Sequence, residues 1–103
     1  MFEFKRIKPA EAISLLQPET YVLDIRDGAS YNAGHLPSAT LIDNSTVQQF
    51  LENADKQKTV LVYCYHGNSS LSAAAYFCEQ GFKEVYSLDG GYEIWKMNYP
   101  TES

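Results

Sequence analysis

The sequence predicts an α/β fold, with a central, mainly parallel β-sheet of about five strands and helices on both faces. Three observations carry this. Short apolar runs alternate with amphipathic stretches along the chain, the pattern of strands separated by helices in βαβ units. The run Thr59-Val60-Leu61-Val62-Tyr63 is continuous in β-branched and apolar residues, as in a strand covered on both sides. No internal repeat, low-complexity tract or Pro/Gly/Ser linker divides the 103 residues, so one domain over residues 1–103 is expected, its motifs falling within residues 4–99.

Each element has its own signal. Pro9 suits the first turn of a helix expected over residues 10–16. Residues 21–25, Tyr-Val-Leu-Asp-Ile, read as a buried strand, and Asp27-Gly28 reads as the turn that follows it. Residues 39–42 form a second short strand. Asn44 or Ser45 is the expected cap of a helix reaching Ala54, with Val47, Phe50 and Leu51 on one face. Residues 59–63 are the clearest strand. Residues 70–80 then form an alanine-rich helix closed by Gly81, at a position that favours left-handed backbone. Residues 84–88 give another strand, and Asp89-Gly90-Gly91 turns into a last helix carrying Tyr92, Ile94 and Trp95, where Tyr92 and Trp95 are expected in the core.

Composition narrows the function classes. A chain that is 45% hydrophobic and 14% aromatic can build a core, and disorder is excluded as its overall state. Eight basic and thirteen acidic residues give a net charge of -5, which disfavours nucleic acid or an anionic membrane as the main partner. The opening Met1-Phe2-Glu3-Phe4-Lys5-Arg6 has no apolar core of an export signal, and the run from Val60 to Cys64 is far too short to span a membrane. Two cysteines without an export signal fit a reducing compartment. The expectation is a cytoplasmic protein, with monomer as the default state.

In parallel sheets the chemistry gathers at the carboxyl ends of the strands, and that rule singles out Cys64. It ends the strongest strand and begins Cys64-Tyr65-His66-Gly67-Asn68-Ser69-Ser70, which runs into a helix. A loop with glycine at its middle can turn successive N–H groups inward, and a helix N-terminus adds further unpaired donors. Both favour thiolate over thiol, so Cys64 is the expected nucleophile. Cys78 lies mid-helix beside Phe77 and reads as core filler. Asp24 and Arg26, at a strand end, read as a buried or half-buried ion pair that holds neighbouring loops; a direct anion-binding role for Arg26 is the lesser reading. His35 reads as a hydrogen-bonded structural histidine, and Gly90 with Gly91 as a tight turn near the Cys64 loop.

Four motifs in order, Asp24-Ile25-Arg26-Asp27, Gly34-His35-Leu36-Pro37, residues 64–70, and Leu88-Asp89-Gly90-Gly91-Tyr92-Glu93-Ile94-Trp95, together resemble a rhodanese domain. The Cys64 loop resembles in particular the single-domain bacterial thiosulfate sulfurtransferases of the GlpE type. The resemblance implies a rhodanese-like fold and sulfur transfer by a ping-pong route. A small anionic donor such as thiosulfate would load Cys64 as a persulfide, and a thiophilic acceptor, cyanide or a thioredoxin-like dithiol, would remove the sulfur. It also implies that Tyr65, His66, Gly67, Asn68, Ser69 and Ser70 line the substrate, and that no metal or other cofactor is needed. Many rhodanese loops carry a basic residue near the position of Ser69. Here His66 is the only possible cation in the loop, so thiosulfate is expected to bind weakly, with a high KM.

Other chemistries fit less well. A Cys-x5-Arg phosphatase or arsenate reductase needs arginine where Ser70 stands, and thioredoxin chemistry needs Cys-x-x-Cys. Cys64, Cys78, His35 and His66 show no pair at zinc-ligand spacing. A non-catalytic interaction module on the same fold is the remaining alternative, and Cys64 itself is the feature that argues against it.

Overall fold

In chain order the structure, a computed structural model describing residues 3–103, runs β1 (Lys5–Ile7), α1 (Pro9–Ala12), β2 (Thr20–Asp24), α2 (Gly28–Ala33), β3 (Thr40–Leu41), α3 (Val47–Asn53), β4 (Thr59–Tyr63), α4 (Ser69–Glu79), β5 (Val85–Leu88) and α5 (Gly91–Asn98). Met1 and Phe2, part of the opening segment read for an export signal, lie outside the described residues. The five strands pair in parallel in the order β1-β5-β4-β2-β3.

The period-two geometry of a strand divides β4 between two cores. Val60 and Val62 pack on one face with Leu23 of β2, Val85 of β5 and the Ala74, Phe77 and Cys78 face of α4. Val47, Phe50 and Leu51 of α3 complete that side. Leu61 and Tyr63 pack on the other face with Val22, Leu88, Ala12 of α1, and Tyr92 and Trp95 of α5. Residues 60–63 of β4 are all 0% exposed, so the strand is covered on both faces, as its unbroken apolar run predicts. Phe50, Phe77, Phe82 and Tyr21 interlock at centroid distances of 5.1–6.3 Å, mostly edge to face, which suits the ring quadrupoles.

Several local expectations are corrected. The first helix keeps α geometry only over Pro9–Ala12, and Ile13–Leu15 tightens into a 3-10 turn. Asp27-Gly28 does not close a simple turn; it starts α2, because the Asp27 carboxylate caps the helix by accepting the Ser30 N–H at 3.1 Å. The turn before α3 is held by Asp43, which takes the N–H groups of Ser45 and Thr46 at 2.9 and 3.1 Å, so neither Asn44 nor Ser45 is the cap. Strand β1 has no apolar signature: Lys5 and Arg6 are exposed on a sheet edge. Gly81 is left-handed at φ 102°, as expected after α4. No helix among the described residues is long and apolar enough to cross a membrane.

The topology places a crevice. Strands β2 and β4 are neighbours, paired from Thr20↔Thr59 to Asp24↔Tyr63. The chain leaves β2 for α2, whose Tyr31 packs on the Trp95 side, and leaves β4 for α4 on the Phe77 side. The two exits diverge at the carboxyl ends of adjacent strands, which is where open parallel sheets bind ligands.

Candidate functional site

Cys64 is the first residue beyond β4 and stands where the two exits diverge. The Gly67 N–H points at its Sγ at 3.2 Å and the Ser70 N–H at 3.3 Å, with the Ser70 hydroxyl at 3.5 Å. Gly67 makes the inward curl possible: its φ is 91°, and a side chain there would meet the Gly90 nitrogen at 2.9 Å. Asn68 precedes α4 without capping it through its side chain, so the Ser70 donor in the first turn remains directed at the sulfur.

The loop carbonyls face the opposite way. Cys64 O accepts the Tyr92 N–H at 2.8 Å and Tyr65 O accepts the Glu93 N–H at 3.0 Å, both from the first turn of α5. Two helix N-termini thus divide the loop's polarity, α5 binding its carbonyls while α4 and the loop N–H groups converge on sulfur. This needs backbone contact closer than any Cβ allows. Gly91 has φ 61°, and a side chain there would come within 2.5 Å of Cys64 O and the Tyr65 carbonyl group.

Burial alone would push the Cys64 thiol up. The hydrogen bonds donated by Ser70, through hydroxyl and N–H, and by the N–H groups of Gly67 and His66 outweigh it and hold the pKa below the ordinary thiol value. Cys64 keeps 6% of its surface exposed, while Tyr65, His66, Asn68 and Ser69 around it are exposed. Cys78 has the opposite environment: burial, with the charge of Glu3 adding to it, raises its pKa.

The remaining predicted residues form a frame beside the sulfur. Asp24 is fully buried and accepts from Arg26 Nη2 at 2.6 Å, Arg26 Nε at 3.1 Å and the Tyr63 hydroxyl at 2.7 Å. Arg26 Nη2 also donates to Gly34 O at 2.6 Å, and its guanidinium lies 4.0 Å from the Tyr92 ring centroid. These contacts occupy Nε and Nη2 in bracing β2 to α2 and α5. His35 stacks on Tyr31 at 4.2 Å, its Nδ1 lies 2.8 Å from Leu36 O, and its backbone exchanges two hydrogen bonds of 2.8 Å with Glu102. It thereby anchors the carboxyl-terminal segment. No Lys or Arg lies within residues 64–70, and His66 is exposed there.

Three sets of contacts escaped the sequence reading, the first made by a residue expected to line the substrate. The Tyr65 hydroxyl bonds to both Asp27 and Ser30 at the start of α2, tethering the loop to the exit from β2. The Tyr92 and Glu93 N–H groups hold the loop carbonyls. Ser87 of β5 places its hydroxyl 2.8 Å from that of Ser70, and both residues are essentially unexposed. Ser87 did carry a signal: it is two residues from Val85, hence a polar residue on a core-facing position of a strand.

Comparison with known proteins bears on this arrangement. A rhodanese-like domain matches residues 8–98. The thiosulfate sulfurtransferase GlpE of Pseudomonas entomophila is 53% identical over 103 residues, covering 100% of this chain and 94% of that protein. The protein of the same name from Pseudomonas savastanoi pv. phaseolicola is 46% identical, over 100% of this chain and 97% of its own. Among solved structures, a thiosulfate sulfurtransferase from Pseudomonas aeruginosa superposes with a TM-score of 0.83 at 29% identity, over 96% of this chain and 19% of that one. The Alr3790 protein from Anabaena gives a TM-score of 0.81 at 29% identity, over 94% and 80%.

Proposed function

From the premise that the chain belongs to the rhodanese-like family and is a sulfurtransferase, we propose that Cys64 carries the transferred sulfur as a persulfide, with thiosulfate as the donor. The observation that supports this most is the convergence of the Gly67 and Ser70 N–H groups and the Ser70 hydroxyl on one sulfur. An anionic sulfur is what such a ring stabilises.

In the first step the Cys64 thiolate attacks the outer sulfur of thiosulfate. A new S–S bond forms, the S–S bond of the donor breaks, and sulfite leaves with that electron pair. The product is a Cys64 persulfide with its negative charge on the terminal sulfur. In the second step an acceptor, cyanide or one thiolate of a thioredoxin-like dithiol, attacks the terminal sulfur. Cyanide leaves as thiocyanate and the Cys64 thiolate is restored; a dithiol takes up the sulfur as a persulfide, which its second thiol can resolve. Each half-reaction is complete before the next begins, hence ping-pong kinetics.

Tyr65, His66, Asn68 and Ser69 form the exposed approach to the sulfur, and Gly67 and Ser70 supply donors. Asp24, Arg26, His35, Gly90 and Gly91 hold the frame without contacting the donor. Without a fixed cation in the loop, the thiosulfate dianion relies on neutral donors, which predicts a high KM. Both cysteines are unpaired, which suits a reducing compartment such as the cytoplasm, and a monomer suffices because every proposed group comes from one chain.

Intact mass after incubation with thiosulfate tests the reading. The protein should gain the mass of one sulfur atom, lose it to dithiothreitol or cyanide, and gain none when Cys64→Ser is introduced with the fold preserved. Sulfur uptake by the Cys64→Ser variant, or none by the parent protein, overturns it.

A further inference from the structure

Resting on the reading of Cys64 as nucleophile, we infer that Ser87 is a positioning residue, whose hydroxyl on β5 turns the Ser70 O–H toward the Cys64 sulfur. The geometry is a chain of three atoms. Ser87 Oγ lies 2.8 Å from Ser70 Oγ, which lies 3.5 Å from Cys64 Sγ. Ser70 is 0% exposed and Ser87 1% exposed, so water does not compete for either hydroxyl.

Proton counting gives the chain a direction. A hydroxyl carries one hydrogen and accepts through its lone pairs, while a thiolate only accepts. When Cys64 is ionised, the single Ser70 hydrogen goes to sulfur, and the Ser87 hydrogen goes to Ser70 Oγ. In the reverse orientation Ser70 donates to Ser87, the sulfur loses a donor, and the Ser87 hydrogen needs another acceptor. Among the described residues the only hydrogen bond of the Ser87 hydroxyl is the one to Ser70. An unsatisfied buried donor is costly, so the arrangement that points both hydrogens toward sulfur is favoured.

The position is set by the sheet. Ser87 pairs with Val62 of β4 and with Arg6 of β1, and it shares the face of Val85 that packs against α4. Ser70 is in the first turn of that helix. A hydroxyl at this point of β5 therefore reaches from the sheet to the base of α4, beneath the sulfur, and the site acquires a third layer behind its loop.

The test is the pH profile of Cys64 alkylation by iodoacetamide, resolved by peptide mass so that Cys78 does not interfere. Ser87→Ala should move the midpoint upward by about half a pH unit, slowing alkylation roughly threefold at pH values below both midpoints. Ser87→Thr should restore the parent profile, and its isostere Ser87→Val should behave as Ser87→Ala. Comparing the threonine and valine variants isolates the hydroxyl at constant shape, whatever the folding yield of Ser87→Ala. In a Ser70→Ala background the shift caused by Ser87→Ala should vanish, since the two act in series. Superimposed profiles for Ser87→Thr and Ser87→Val, or an undiminished shift in the Ser70→Ala background, overturn the inference. Sulfur uptake by the parent protein, followed in parallel, separates this result from a failure of Cys64 as the carrier.

Discussion

At the scale of single residues, the two cysteines show how surroundings divide one side-chain type into two behaviours. Cys64 is met by the N–H groups of Gly67 and Ser70 and lies 3.5 Å from the Ser70 hydroxyl, whereas Cys78 packs in the apolar cluster with Ala74, Phe77 and Val85. The sign of the pH dependence follows. Because its donors hold the folded Cys64 pKa below the ordinary thiol value, the thiolate contributes stability that is present above that ordinary value and lost as pH falls through the folded pKa. Sulfur uptake should fall over the same lower range, while Cys78, its pKa raised, stays unalkylated at neutral pH; single-turnover rates from pH 5 to 9 with peptide mapping check both. The missing loop cation makes a second prediction. Ser69 is exposed at the start of α4, so Ser69→Arg should lower the thiosulfate KM several-fold with kcat less affected. An unchanged KM in steady-state assays would mean that the backbone donors already saturate the interaction.

Between elements, the decisive contact is the backbone-to-backbone approach of α5 to the Cys64 loop. It depends on Gly91 having no side chain, and Gly81 provides the control. Both are left-handed, but a Cβ at Gly81 would meet nothing within 4 Å, whereas one at Gly91 would lie 2.5 Å from three loop backbone atoms. Gly81→Ala should cost about 1 kcal/mol, the strain alone, and leave Cys64 alkylation unchanged. Gly91→Ala should cost roughly 2–5 kcal/mol, because strain and overlap add, and should slow alkylation as the loop N–H groups swing away from sulfur. Urea unfolding with alkylation of each variant measures the difference; equal costs would show that the loop yields easily.

Across the whole molecule, the buried Asp24–Arg26 pair joins parts that the sheet alone does not. Asp24 ends β2, Tyr63 ends β4, Gly34 follows α2 and Tyr92 belongs to α5, and all four meet at or through one guanidinium. The side chains of the pair are 2% and 0% exposed, so removing one partner strands a charge in the interior. Asp24→Ala should therefore cost about 3–5 kcal/mol in chemical denaturation, well above the cost of a typical surface change. Retained stability would show that water or another group reaches Arg26.

How much of this was legible in the residues follows from how local each cause is. Residues 59–63 declared a doubly covered strand because unbroken β-branched apolar residues fit few other environments, and Cys64 stood out because strand end, glycine loop and helix start are all chain neighbours. Strand β1 was silent, since an edge strand is held by pairing to β5 and needs no apolar pattern of its own. The Asp27 cap looked like a turn because Asp-Gly serves both, and the bond its carboxylate accepts from the Ser30 N–H decides between them. Ser87, Tyr92 and Glu93 lie 23 to 29 positions from Cys64, and their bonds to its loop exist only once β4 and β5 pair and α5 folds back. The order of residues determined which sulfur could be ionised and which family of chemistry it suits. The tertiary structure alone decided what holds that loop in place, because hydrogen bonds depend on distance in space, and Ser87, Tyr92 and Glu93 reach the loop from elsewhere in the chain.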